Sequence, residues 1–199
     1  MTTKSLLHSS LLDNLYYNSM LVGNEGYVPV TEVILAEEVL TSTQASVTFS
    51  SLGTLAAGYQ HLQIRMATRD SRAVTANFIE MRFNADTGAN YVTHKLDGDG
   101  SSVSSSAYTG LTFIRPVVEP GANAGANIFG ASIIDILDPF DTNKYTTTRT
   151  LGGYEAASPR EVSLASGLWM DTSALTEVLL RPQSGSFVSG SRFTLIGLK

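Results

Sequence analysis

Cysteine is absent from this chain of 199 residues, and charged residues are scarce. Without cysteine there is no disulfide framework, no thiolate nucleophile and no cysteine-type zinc site. Charged residues make up 16% of the sequence, well below the share of about a quarter that is usual in globular proteins. So little charge is expected where partners cover much of the surface.

Basic residues are also few, and long apolar runs are absent from the sequence. Lys and Arg number 13 against 18 Asp and Glu, which gives a formal net charge of −5. An acidic chain has no general electrostatic attraction to nucleic acid. No stretch approaches the roughly 18 apolar residues that span a bilayer, and MTTKSLLHSSLLDNLYY lacks the continuous apolar core of a signal peptide. We expect no nucleic-acid partner, no membrane partner, and synthesis in a cytoplasm without export.

Strand signals fill the chain from Val30 onwards. The stretch YQHLQIRMATR places Leu62, Ile64 and Met66 on one face, and NFIEMRFN alternates in the same way. Such alternation is typical of antiparallel sheets with one solvated face. Further candidate strands cover residues 33–35, 45–49, 90–96, 108–118, 127–137, 144–151, 161–169, 174–181 and 191–198. Short strands joined by Gly, Ser, Asn and Asp loops predict an all-β fold, an antiparallel β-sandwich or jelly roll over residues 30–199.

The stretch 127–153, NIFGASIIDILDPFDTNKYTTTRTLGG, predicts a hairpin within that sandwich. Its first strand is apolar through Ile133, Ile134 and Ile136, and its second strand carries a run of Thr. Asp138 and Asn143 supply the turn chemistry between them, because Asp and Asn side chains cap nearby backbone groups. The Thr face of residues 144–150 is expected to meet solvent or a neighbouring subunit.

The residues that could carry chemistry form no recognisable constellation. The three histidines, His8, His61 and His94, have no metal-ligand spacing, although His61 and His94 could pair across strands. Asp97-Gly98-Asp99-Gly100 is rich in oxygen ligands but lacks the frame of a calcium-binding loop. We predict no catalytic residues, no metal ligands and no cofactor, and a protein that is not an enzyme.

The basic residues offer a structural interpretation and a functional one. Arg65 and Arg82 are expected on adjacent strands, where cross-strand pairing with Glu80 would hold them. The alternative is an interface with an acidic partner surface. The polar stretches DGDGSSVSSSA and EPGANAGAN are expected to be loops at the edges of the sandwich.

The first 29 residues differ from the rest and predict an N-terminal anchoring arm or stem. Fully burying five Leu side chains contributes roughly 8–15 kcal/mol, whereas ordering about 15 residues of backbone costs roughly 15–30 kcal/mol. The arm therefore needs a host surface or self-association, although packing on its own sandwich is the alternative. The candidate partner-binding residues of the arm are Leu6, Leu7, Leu11, Leu12, Leu15 and Tyr16.

From about Thr41 to its C-terminal end, the chain resembles a β-sandwich module of the virion structural proteins of tailed bacteriophages. The resemblance spans roughly four-fifths of the chain, and its stretches follow one another in family order. They are TSTQASVTFSSL, YQHLQIRMATR, MRFNADTGANYVTHKLDGDGSSVSS, NIFGASIIDILDPFDTNKYTTTRTLGG and SGLWMDTSALTEVLLRPQSGSFVSGSRFTLIGLK.

The resemblance implies a head decoration (cement) protein, a head fibre or the end of a tail fibre. A short arm before a sandwich fits the first best, so we expect a homotrimer on the capsid exterior that binds the major capsid protein and stabilises the head. The alternative is a head-fibre or tail-fibre module that presents Tyr91, Tyr108, Tyr154 and Trp169 to a host surface glycan.

Overall fold

The structure, a computed structural model, describes residues 31–156 and 160–199, and almost all of its regular structure is β. A short helix, α1, covers Leu52–Leu55, and a single 3₁₀ turn covers Ala122–Ala124. Within the described residues the strands β1 to β12 are, in chain order, Glu32–Val39, Val47–Phe49, His61–Thr68, Ala76–Phe83, Tyr91–Gly98, Val103–Leu111, Val118–Pro120, Gly130–Leu137, Thr146–Tyr154, Glu161–Trp169, Val178–Pro182 and Arg192–Leu198.

The strands form two antiparallel sheets of unequal size. The large sheet has eight strands in the order β1-β12-β3-β8-β9-β10-β5-β6, and the small sheet has four in the order β2-β11-β4-β7. The two sheets pack face to face, which confirms the predicted all-β sandwich. No helix among the described residues has both the length and the apolar character needed to cross a bilayer.

The core fills the space between the sheets. Leu62, Ile64 and Met66 of β3 all point inwards, as their alternation predicts. They meet Met81 and Phe83 from β4 of the small sheet in one continuous cluster. Burial of apolar side chains on this scale is the main favourable contribution to folding.

An aromatic trio links the sheets at one end. The ring centroids of Phe83, in the small sheet, and Trp169 lie 5.6 Å apart in an edge-to-face arrangement. Those of Tyr91 and Trp169 lie 6.4 Å apart, with the rings stacked. The Tyr91 hydroxyl accepts a hydrogen bond from the Phe83 N–H at 3.1 Å, and Trp169 Nε1 donates to Asp86 at 2.8 Å. Burial raises the pKa of Tyr91 to about 12. The polar ends of both large rings are therefore satisfied while their bodies are buried.

A chain segment between β6 and β7 packs on the inner face of the large sheet and contributes Ile114 and Val117 to the apolar core. A Cβ on Gly167 would lie 2.7 Å from Ile114, and one on Gly152 would lie 2.7 Å from Val117. Glycine at these two positions lets the segment lie directly on strands β9 and β10.

The structure corrects the predicted boundaries around β6. Residues 103–107, expected in an edge loop, belong to β6, and residues 112–117, expected in a strand, do not. Serine has little strand preference of its own, so the sequence VSSSA by itself predicts a loop. Pairing with β5, which runs from Gly98↔Val103 to Thr93↔Tyr108, makes it a strand.

The predicted hairpin is present, but its Thr face points the other way. Strands β8 and β9 pair from Ala131↔Gly153 to Leu137↔Thr147. Thr146, Thr148 and Thr150 are buried in the sandwich, and the opposite face of β9 is exposed. The prediction of a solvated Thr face is wrong because alternation separates two faces without saying which one is covered.

The arm predicted for residues 1–29, with Leu6, Leu7, Leu11, Leu12, Leu15 and Tyr16, lies outside the described residues. Its boundary with the sandwich at residue 30 therefore stays a prediction.

The tightest strand contact generates a stability prediction. A Cβ at Gly153 would lie 2.1 Å from the carbonyl oxygen of Glu161 in β10, whereas a Cβ at Gly53 in α1 has nothing within 4 Å. Gly153→Ala should lower the free energy of unfolding by roughly 1–3 kcal/mol or more, because the partner is backbone and cannot rotate away. The control Gly53→Ala should not destabilise. Urea unfolding of both variants tests this, and an unchanged midpoint for Gly153→Ala would contradict it.

Candidate functional site

An apolar stripe crosses the outer face of the large sheet, opposite the core. Four of its side chains stand in one cross-strand row, in which Ile133 pairs with Leu151, Leu151 with Leu164, and Leu164 with Leu96. Val162 and Val103 stand in the next row, with Gly98 between them. We call these six residues, Ile133, Leu151, Leu164, Leu96, Val162 and Val103, the apolar stripe.

The stripe is solvent-exposed and contiguous. Its side chains are between 42% (Ile133) and 72% (Val103) exposed. Single exposed apolar residues are ordinary, but a contiguous patch of several hundred Å² marks an interaction site. The stripe is therefore the strongest candidate functional site among the described residues.

Charged and polar residues border the stripe on one side. In the adjoining row, Arg149 is paired with Asp135 at 3.0 Å, and Gln63 donates to the same carboxylate at 2.8 Å. Further along the row stand Ser166 and His94. An apolar centre with a polar rim is the usual anatomy of a protein–protein interface.

Two depressions lie along the stripe. A groove of about 880 Å³ lies over Ile133, Leu151 and Val162, and Phe129 forms part of its wall. A smaller depression of about 320 Å³ lies between Leu96, Leu164 and the polar rim. A partner could therefore insert apolar side chains in addition to lying flat on the sheet.

The sequence shows that large apolar residues share one face of β10, but it does not show whether that face points to the core or to solvent. In EVSLASGLW, Val162 and Leu164 alternate with Ser163 and Ala165. An apolar strand face is normally assigned to the core. In the structure Ser163 and Ala165 are buried and the larger Val162 and Leu164 face outwards.

His61 and the acidic turns have structural roles, and His8 lies outside the described residues. His61 Nδ1 accepts the Asp138 N–H at 3.0 Å. His94 stands on the outer face of β5, which is separated from β3 and His61 by strands β8, β9 and β10. The two histidines, which could have paired across adjacent strands, are therefore not neighbours.

Asp138 stands in the β8–β9 turn, but its carboxylate accepts hydrogen bonds from the side chains of Lys144 and Gln60, which hold its pKa below the usual range. The side chain that caps a backbone N–H in this turn is that of Asp141, which accepts the Asn143 N–H at 2.9 Å.

The oxygen-rich loop at 97–100 is a tight turn. Asp99 accepts the N–H groups of Ser101 and Ser102 at 2.8 and 2.6 Å, and these bonds hold the pKa of its carboxyl well below the usual range. Asp97 pairs instead with the buried Lys95 at 3.1 Å and accepts the Ser163 hydroxyl. In the described part of the chain no group of three or more His, Asp or Glu side chains is placed to hold a metal ion.

Arg65 and Arg82 do not stand on adjacent strands, contrary to the prediction. Arg65 stands on β3 of the large sheet and Arg82 on β4 of the small sheet. Glu80 pairs with Arg181 at 2.6 Å, while Arg65 pairs with Glu32 at 2.6 Å. The expected pairing with Glu80 is therefore wrong for both arginines, and Arg82 Nε instead donates to the Thr112 carbonyl at 3.1 Å.

The aromatic residues expected to meet a glycan are mostly inaccessible. Trp169, Tyr91 and Tyr154 are buried in the sandwich. Tyr108 is partly exposed, and the guanidinium of Arg115 lies over its ring at 4.9 Å. Of these four residues, only Tyr108 has part of its ring open to a sugar.

A second unusual location is a buried pair of carboxyl groups. The Asp70 N–H donates to the Pro120 carbonyl at 3.0 Å, which brings Asp70 beside Glu119 of β7. Both side chains are buried, and among the described residues neither Glu119 oxygen has a hydrogen-bond partner. Burial, followed by the Asp70 charge, raises the pKa of Glu119 well above its ordinary value, and burial also raises the pKa of Asp70.

Comparisons with known proteins give no family. No protein-family model matches the chain, and no curated protein does. Among solved structures, one of NanB plus Optactamide aligns with a TM-score of 0.35 and 8% sequence identity. The alignment covers 82% of this chain and 26% of that one, so the chain spans about a quarter of its length. A likeness at this level carries no argument about function.

The buried acid pair predicts a pH-dependent stability. Between the ordinary Glu pKa of 4.5 and the raised folded value, the folded protein holds a proton that the unfolded chain has lost. Stability contributed by Glu119 therefore falls as pH rises through that window. The stability of Glu119→Gln relative to the wild type should rise as pH increases from about 4.5 towards 8.

Unfolding by urea across this pH range measures the effect. Glu38→Gln is the control, because Glu38 is exposed on β1, and its difference from the wild type should change little with pH. A Glu119→Gln difference that is equally flat would show that Glu119 is ionised in the folded protein.

Proposed function

We propose that the chain is a non-enzymatic structural protein of a tailed-phage virion, a decoration protein that binds the major capsid protein on the outside of the head. The observation that supports this proposal is the apolar stripe. A sheet face that carries six exposed aliphatic side chains is suited to lie against another protein. The low charge of the chain and the resemblance of its sequence point in the same direction.

The energetics favour attachment through both the stripe and the arm. Fully burying one Leu, Ile or Val side chain contributes roughly 1.5–3 kcal/mol, but association costs at least about 4 kcal/mol and orders side chains at the interface. The stripe alone would therefore give a moderate affinity. A second contact through the Leu residues of the arm would raise the total strongly, because the two contacts are covalently linked.

The alternative is a head-fibre or tail-fibre module that binds a host glycan. That role depends on exposed aromatic side chains, and three of the four candidates are buried. A glycan array separates the two functions, since a decoration protein should give no specific signal on it.

The stripe can be tested with two substitutions on one strand. Leu151 and Thr147 are both exposed on the outer face of β9, four residues apart, but only Leu151 belongs to the stripe. Leu151→Asp should weaken binding to heads that lack this protein by about tenfold or more, since one lost Leu contact corresponds to at least 1.4 kcal/mol. Co-sedimentation of purified protein with such heads measures the affinity.

Thr147→Asp adds the same charge to the same face and should bind like the wild type. Equal binding by Leu151→Asp and the wild type would remove the stripe from the proposal. Equal loss in both variants would show that binding responds to charge on this face and not to the stripe.

The arm is tested in the full-length chain. Replacing Leu6, Leu7, Leu11 and Leu12 by Ser should reduce head binding severalfold or more, because the arm then loses the apolar side chains expected to anchor it. The matched control replaces Ser9 and Ser10 by Ala, within the same segment. Undiminished binding by the Leu-to-Ser variant would exclude the arm as an anchor and leave attachment to the sandwich.

A further inference from the structure

The two edges of the large sheet are built differently. Edge strand β1 carries Glu32, Glu37 and Glu38, and its pairing with β12 is interrupted by a bulge between Ile34 and Ala36. Charges and bulges are the devices by which proteins prevent an edge strand from pairing with another chain. The edges of the small sheet, β2 and β7, are only three residues long.

Edge strand β6 has no such protection apart from an irregularity at its C-terminal end. Its nine residues, VSSSAYTGL, include no charged residue and no proline, and most of them are exposed. Its register with β5 is continuous from Val103 to Tyr108 and shifts only after that. Within residues 31–156 and 160–199, no strand pairs with its other side.

The free backbone groups of β6 can be assigned. The Asp99 N–H donates to the Ser102 carbonyl where the hairpin turns. Hydrogen-bonded and non-hydrogen-bonded pairs alternate along an antiparallel ladder. Val103, Ser105 and Ala107 therefore direct their N–H and C=O groups away from β5, towards the open edge.

The same edge continues the apolar stripe. Val103 is the most exposed of the large apolar residues in the structure's described part, and it pairs across Gly98 with Val162. Leu96 of β5 stands in the neighbouring row, beside Ser105. A strand added to β6 would therefore extend both the sheet and its apolar outer face.

We propose that β6 pairs with β6 of a second copy of this chain, in antiparallel fashion across a two-fold axis. An uncharged strand meets its own copy without like-charge repulsion, and a two-fold axis makes such a contact close on itself. The pairing covers the unprotected edge and joins the two stripes into one surface. It stands independently of the proposed capsid attachment, and it departs from the three-fold association that the family resemblance implies.

Two substitutions at Ser105 test the backbone directly. Ser105→Pro removes an N–H that points to the open edge and leaves the ladder with β5 intact, whereas Ser105→Ala keeps that N–H. The wild type and Ser105→Ala should be dimers by native mass spectrometry and light scattering, and Ser105→Pro should be a monomer. Circular dichroism and thermal unfolding show whether each variant keeps its fold.

Ser105→Lys provides a second route should the proline variant fail to fold. A lysine on an edge strand opposes pairing and should also yield a monomer, while Ile34→Lys on the opposite edge should remain a dimer. A monomeric wild type, a trimer, or a dimer that persists in a folded Ser105→Pro and in Ser105→Lys would overturn the proposal. So would slow hydrogen exchange at Val103, Ser105 and Ala107 in a monomer, because the chain's own residues would then cover the edge.

Discussion

One constraint governs this structure: a sheet of eight strands has two faces, and the described chain has a single sheet of four strands to cover them. Burial of apolar surface drives the two sheets together, so one face of the large sheet becomes core. The other face is left to solvent or to a partner. The apolar stripe stands on that second face, and its exposed side chains are the physical link between this fold and an interaction.

The inner face of the large sheet is itself divided. Under the small sheet, β3, β8 and β12 supply large apolar side chains. Towards β9, β10 and β5 the inner face becomes small and polar, with Thr148, Ser163 and Gly167. The segment that carries Ile114 packs closely there because these side chains are short. Lys95 is buried in the same region, where it pairs with Asp97 and lies over an aromatic ring. The aliphatic residues Leu151, Leu164 and Leu96 of these strands face outwards, whereas the aromatic residues Trp169 and Tyr91 at one end of β10 and β5 are buried.

Much of the fold could be predicted because strand alternation is local. The inward side chains of β3, the β8–β9 hairpin and the limits of β10 follow from residue order alone. Strand β6 could not be found in this way, because a Ser-rich stretch becomes a strand only through its partner. Arg65 and Arg82 were assigned to neighbouring strands, but their strands β3 and β4, although consecutive in the chain, belong to different sheets. Ion-pair partners depend on that topology, which alternation does not contain.

For the candidate site, too, one part follows from the sequence and the other part only from the tertiary structure. The sequence by itself determined an all-β sandwich with few charges, and it determined that Val162 and Leu164 share one face of their strand while Ser163 and Ala165 share the other. Only the tertiary structure decided which of those faces is buried and which strand is left at an edge. The physical reason is that alternation is a property of a single strand, whereas burial depends on the sheet or segment packed against it.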